Sequence, residues 1–154
     1  IVCSLVGSEM CIRDRLNVLA DVAINIDGKR VEPHNHLAYK GMMLGGVPNL
    51  AFSFGYVNAS WTLRADLTAE YVCRLINQMD KESVSVCMPQ EDPSAEAEDD
   101  YIDFTSGYVQ RALDRLPQQG KKAPWRNYQN YLLDIFYVRI WKLKDSTLRF
   151  YNPK

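Results

Sequence analysis

The chain has 154 residues, enough for one ordinary domain. Hydrophobic residues make up 47% and charged residues 24%, the composition of a globular protein. The net charge of −1 gives no bulk electrostatic reason to expect a nucleic-acid partner. No apolar run reaches the roughly 18–20 residues that span a bilayer, so no transmembrane segment is expected.

Residues 1–15 read IVCSLVGSEMCIRDR and show no sustained helical or strand period. They have no basic leading region and no clean small-residue cleavage site, so a signal peptide is not expected. The string resembles one produced when sequencing adapter is read as coding sequence. It is treated as non-native, with a genuine N-terminal strand opening a glycine turn as the alternative. On that reading the native protein extends upstream. Setting Cys3 and Cys11 aside leaves Cys73 and Cys87, neither in a C-x-x-C or metal-spaced pattern. Two lone cysteines without a secretory signal fit a reducing, cytoplasmic compartment.

Leu16 to Ile26 is rich in Val, Ile and Ala, and Asp27-Gly28 before Lys29-Arg30-Val31 predicts a hairpin turn between two short strands. Pro33 to His36 reads as a loop, Tyr39 to Leu44 as a short apolar stretch, and Gly45 to Asn49 as turn punctuation. Leu50 to Phe54 is nearly all apolar, the pattern of a strand buried on both faces in a parallel sheet. A small-residue loop, Gly55 to Ser60, follows. From about Trp61 the period becomes helical, with Ala65, Thr68, Val72, Leu75, Ile76 and Met79 at spacings of three and four. Asn58, Ser60 and Thr62 are all candidate caps. Ser83 to Met88 alternates like a strand. Pro89 to Asp100 is acidic and lacks large apolar residues, so it reads as a solvated linker. Gly107 to Leu116 reads as a short helix and Pro117 to Pro124 as a loop. A second helix is expected from Trp125 to about Val138, and Trp141 to Tyr151 reads as a strand or extended tail.

The run beginning at Tyr39, YKGMMLGGVPNLAFSFGYVNASWTLRADLTAEYVCRL, resembles the C-terminal segment of the flavin-containing and Baeyer–Villiger monooxygenases. There a G-x-P-N-hydrophobic strand precedes a loop and a long helix. The wording GY-x-NASWTL-x-AD-L resembles the ethionamide-activating subgroup. The tail FTSGYVQRALDRLPQQGKKAPWRNYQNYLLDI is similar to that subgroup's C-terminal extension. The resemblance implies an α/β fold: the C-terminal part of an FAD-binding Rossmann-like fold, incomplete, carrying a mostly helical extension. Residues 16–88 would end the FAD-binding domain, 89–104 form the acidic linker and 105–154 the extension. It also implies FAD and NADPH as cofactors, O2 as co-substrate, and a small ketone or a sulfide- or thioamide-like compound as substrate. One oxygen atom would be transferred through a C4a-peroxyflavin. The chain has no G-x-G-x-x-G and no F-x-G-x-x-x-H. By itself it is therefore expected to be inactive. Two alternatives stay open: a stand-alone, non-catalytic interaction module, and a related flavoprotein limited to N- or S-oxygenation.

In that family the segment corresponding to Asn58, Ala59, Ser60, Trp61, Thr62 and Leu63 meets the isoalloxazine. A helix N-terminus, with its unused N–H groups and partial positive charge, suits the anionic edge of a reduced flavin. Capping alone is the competing role for Asn58 and Ser60. Trp61 is a candidate for the substrate pocket, against an ordinary core tryptophan. Arg64 is a second pocket candidate. A cation in a first helical turn opposes the helix dipole, and the favoured reading is that Arg64 faces solvent or pairs with a distant carboxylate. His34 and His36 could share one face of a strand, but no further ligands of suitable type accompany them, so no metal is expected. The acidic run Glu91 to Asp103 lacks calcium-loop spacing. The aromatic and basic stretch Trp125 to Tyr131 is read as core packing, clamping the tail to the missing domains. With partner strands absent, residues 16–154 alone are expected to be poorly soluble or partly molten. A sharp cooperative unfolding transition of the monomer, followed by circular dichroism, would overturn this.

Overall fold

The computed structural model describes residue 19 and residues 22–91, 97–100 and 115–153. Strands β1 (Ile24–Ile26) and β2 (Lys29–Val31) form an antiparallel hairpin with Ile24 opposite Val31. Asp27 and Gly28 both take left-handed angles, φ 50° and 77°, as a tight two-residue turn between twisted strands demands. A single 3-10 turn, Pro33–Asn35, leads into β3 (Ala38–Tyr39), which pairs antiparallel with β4 (Met43–Leu44). Both of these short strands are fully buried.

The expected two-face strand over Leu50 to Phe54 is not formed. The segment makes one isolated antiparallel bridge, Met43 to Ala51, and one further backbone bond, Phe52 N to Met42 O at 2.8 Å. Phe52 and Phe54 are buried while Ala51 and Ser53 are exposed. Burial therefore alternates, as on an extended segment covered on one side. Alanine at the exposed position makes a one-sided segment read as continuously apolar. Among the described residues every pair of named strands is antiparallel, and the one parallel contact is an isolated bridge between Leu37 and Gln118.

Helix α1 (Trp61–Glu82) is the long element, as its period predicts. Its buried face is Arg64, Leu67, Thr68, Tyr71 and Leu75. The expected stripe is rotated relative to this face: Ala65 and Ile76 are exposed. The arginine and the tyrosine are buried whole, their polar atoms met by partners inside, so apolar periodicity alone sets the face wrongly. The helix stops at Ser83, left-handed at φ 53°, whose N–H bonds Asp80 O while Val84 N bonds Met79 O.

Strand β5 (Val86–Pro89) pairs antiparallel with β8 (Leu148–Tyr151), bringing the tail back onto the middle of the chain. The acidic stretch is not wholly a linker: β6 (Ala97–Asp100) pairs with β7 (Gln118–Gly120), with a register shift between Ala97 and Asp99. A ladder is made by backbone groups and needs no apolar side chain, which is why acidic composition concealed it. The helix expected over Gly107 to Leu116 falls mostly on residues 101–114, outside the described residues.

The expected helix from Trp125 is also corrected. Residues 121–130 are irregular, and α2 (Tyr131–Ile135) begins at an Asn130 cap whose side chain accepts from Leu132 and Leu133 N–H at 3.1 and 3.3 Å. It continues as one π-helical segment, Phe136–Ile140. The described part of the C-terminal extension is thus mixed rather than mostly helical. Leu37, Tyr39, Met42, Leu67, Tyr71 and Trp125 form the heart of one core cluster, and Ala38, Leu44, Val47, Phe52 and Phe54 a second.

Asn49 joins the first turn cluster to β5. Its backbone is left-handed at φ 56°, its N–H bonds Cys87 O, and its side chain bonds Ser85 O and Cys87 N, each at 2.9 Å. Asn49→Ala removes two side-chain hydrogen bonds and one of the residues best suited to that backbone. It should cost about 1–3 kcal/mol in urea unfolding, with an unchanged m-value.

Candidate functional site

The loop Gly55 to Ser60 lies between the buried Phe54 and the start of α1. Gly55 is required by close approach: a Cβ there would fall inside the Trp61 ring. Trp61 packs one face on Phe54, with ring centroids 4.8 Å apart, and is 54% exposed. Asn58, Ala59, Thr62 and Leu63 are exposed too. Ser60 occupies the N-cap position but caps nothing: its hydroxyl lies 2.7 Å from Thr62 Oγ1. The left-open choice of cap therefore ends with no side-chain cap at all. The first turn of any helix has N–H groups without intrahelical acceptors, and this one has no acidic residue to complement them.

One turn on, Arg64 points the opposite way. It is 3% exposed, and its guanidinium pairs with Asp134 Oδ2 and donates to Lys40 O at 2.7 Å. It also lies 5.5 Å from the Tyr56 ring centre. Tyr56 OH donates to the same Asp134 oxygen at 2.6 Å. Burial first, and then the hydrogen bond to Asp134, push the Tyr56 hydroxyl above its usual range. Of the favoured reading for Arg64, the solvent-facing half fails and the pairing with a distant carboxylate is what forms; Asp134, the partner, was not singled out beforehand. A carboxylate at the fourth position of a short amphipathic helix gives no local signal of where its partner lies. Gly41, at φ 64°, makes room: a Cβ there would sit 2.6 Å from Arg64 Nη2. Trp61 and Arg64 thus start from one helical turn but face different environments. A cavity of about 20 Å³ beside the ion pair, lined by Met42, Arg64, Pro124, Asp134 and Val138, has room for one water-sized guest.

Below this pair runs a buried polar chain. Lys40 Nζ donates to Tyr71 OH at 3.2 Å, Tyr71 OH lies 3.2 Å from Tyr39 OH, and Tyr39 OH donates to Asp145 Oδ2 at 2.7 Å. The Lys40 ammonium also sits over the Tyr71 ring at 4.7 Å. Trp125 is buried against Tyr39, 5.7 Å apart and edge-on, as the core-packing reading expects. His36 Nδ1 lies 3.4 Å from Glu91 Oε1, and Glu91 accepts from Leu37 N–H at 2.9 Å. Among the described residues no group of three His, Cys, Asp or Glu side chains is placed to hold a metal. No described helix is long and apolar enough to cross a membrane.

Burial pushes Lys40 down to about 8, against the pull of Asp145 and with the help of Arg74. The folded pKa lies below the ordinary value, so the unfolded chain binds more protons. The protonated lysine costs stability below about pH 8, and that cost is relieved as pH rises towards 10.5. Tyr39, Tyr71 and Cys87, also buried here, are all raised and lose stability at higher pH. The clean measurement is therefore a difference. Lys40→Met should compare more favourably with the parent at pH 7 than at pH 9.5, by about 1–3 kcal/mol in urea unfolding.

No protein-family profile matches the chain, and no solved structure does. Curated sequences do. The chain is 47% identical over 135 residues to the FAD-containing monooxygenase EthA of Mycobacterium tuberculosis, covering 88% of this chain and 28% of that protein. It is 42% identical over 138 residues to the probable FAD-binding monooxygenase AlmA of an Acinetobacter species, covering 89% and 28%. It is 34% identical over 136 residues to the putative FAD-containing monooxygenase MymA of Mycobacterium tuberculosis, covering 88% and 28%. The chain thus spans a little over a quarter of the length of these relatives. It is a homologue of the FAD-containing monooxygenases of this group, matching their C-terminal portion.

Proposed function

We propose that this chain is the closing part of the FAD-binding, Rossmann-like unit of an FAD- and NADPH-dependent monooxygenase. The parent protein transfers one oxygen atom from O2 to a small ketone or to a sulfide- or thioamide-like compound, in the cytoplasm. The carrying observation is the start of α1: an exposed helix N-terminus with no side-chain cap and no acid in its first turn, beside a half-exposed tryptophan. Those features fit the pyrimidine edge of a flavin, which is anionic when reduced and needs N–H donors rather than competing carboxylates.

Asn58, Ala59, Ser60, Trp61, Thr62 and Leu63 would hold the flavin there. When bound, the flavin supplies the redox chemistry of oxygen transfer, and the protein supplies position and electrostatics. The amides of the first turn orient the ring and favour its negative charge. Trp61, braced on Phe54, offers its open face to an apolar substrate and excludes water from it. Arg64, buried with its charge balanced by Asp134, steadies the first turns of α1 from beneath and does not compete for the cofactor. With 28% of the length of its relatives and no dinucleotide-binding fingerprint, the 154-residue chain alone should not turn over.

The test is to recover the reading frame upstream of Leu16 and express the whole product. Two G-x-G-x-x-G motifs with F-x-G-x-x-x-H between them are expected. So are co-purifying FAD and NADPH-dependent oxygen uptake with a cyclic ketone or a thioether. A genuine start codon directly before residue 1, or a longer product without flavin, would sink the enzyme reading in favour of an interaction module.

A further inference from the structure

The loop that carries the proposed flavin contacts is held from one place. Among the described residues, Gly55 to Ser60 makes two hydrogen bonds beyond itself and α1. Tyr56 OH donates to Asp134 Oδ2 at 2.6 Å, and Val57 N–H donates to Gln129 Oε1 at 3.0 Å. Both acceptors belong to the C-terminal segment, more than seventy residues away in sequence. The same Asp134 oxygen takes the Arg64 guanidinium, so it fixes the loop at Tyr56 and the first turns of α1 together.

The acceptors are themselves fixed. Gln129 sits at a left-handed turn, φ 50°, immediately before the Asn130 cap. Asp134 lies inside α2, bonded through its N–H to Asn130 O at 2.9 Å, and is 8% exposed. A side chain on a capped helix has few positions open to it, so it can hold a partner to a fraction of an ångström. An exposed loop of small residues has no such constraint of its own.

The geometry points to Asp134 and Gln129 as positioning residues for the flavin-facing loop, acting through Tyr56, Arg64 and the Val57 amide. This rests on the reading that Asn58 to Leu63 meet the flavin, and it goes further. It makes the C-terminal segment part of the cofactor site's geometry, although neither residue need touch the cofactor.

Tyr56→Phe removes only a hydroxyl, and Gln129→Met removes only an acceptor at similar size. Each should speed amide hydrogen exchange at Val57 and Leu63, the hydrogen-bonded amides of the loop and first turn, by about five- to tenfold in the 154-residue chain, the loss expected of one hydrogen bond. Asn49→Ala, which weakens a different part of the fold, should leave exchange at Val57 and Leu63 unchanged relative to the rest of the molecule. In the flavin-loaded longer protein, Tyr56→Phe and Gln129→Met should raise the FAD dissociation constant by a similar factor and shift the flavin absorption band. Asp134→Asn should do both more strongly. Faster exchange in a protein whose full-length product binds no flavin would keep the brace and remove the flavin reading. Unchanged exchange and unchanged FAD affinity in both mild variants would overturn the brace.

Discussion

An arginine buried to 3% exposure must have its guanidinium satisfied on every side, and the way Arg64 is satisfied determines how four stretches of chain meet. Its charge is met by Asp134 on α2, one further donor by the carbonyl of Lys40, and one face lies towards the Tyr56 ring. The turn at Gly41 gives it space that any side chain would take. Desolvating such a pair is expensive, and the attraction repays it only when the geometry is nearly ideal. Leaving either partner alone typically costs about 3–5 kcal/mol, so the β3–β4 turn, the loop, α1 and α2 are specified relative to one another by one contact.

The interior around it is unusually polar for a short chain. Lys40, Tyr71, Tyr39 and Asp145 form a continuous hydrogen-bonded path from beneath α1 to the turn before β8. Asp145 also accepts from Thr147 and Leu148 N–H, each at 3.0 Å, so the path ends on the backbone that starts β8. Such networks fix one arrangement more strictly than an apolar core does, because a shifted alternative strands a buried polar group. In a chain with modest apolar cores, uniqueness of structure comes as much from these bonds as from burial.

Local chemistry made part of this legible in advance. Asp27-Gly28 announced its turn because few residue pairs accept two left-handed positions. The periodicity after Trp61 announced α1. What stayed hidden depends on distant partners. The rotated face of α1 follows from Arg64 and Tyr71 finding Asp134 and Tyr39, which no period of apolar residues encodes. The pairing of β6 with β7 is made by backbone alone. The late start of α2 turns on Asn130, one polar residue several positions beyond Trp125, where the helix was expected to begin. The relation to FAD-containing monooxygenases was readable from the NASWTL loop and the tail, since a run of specific residues is informative even where a fold is not.

The pairing of β5 with β8 has a consequence for how the chain meets water during synthesis. Val86–Pro89 emerges from the ribosome well before Leu148–Tyr151 has been made, so its edge must wait unpaired. Pro89, with no N–H to offer, blunts one end of that edge. Helix α1, by contrast, can form at once from local bonds. Vectorial production therefore favours a helix-first order, with the antiparallel closure coming last and drawing Asp145 onto Tyr39 as it arrives.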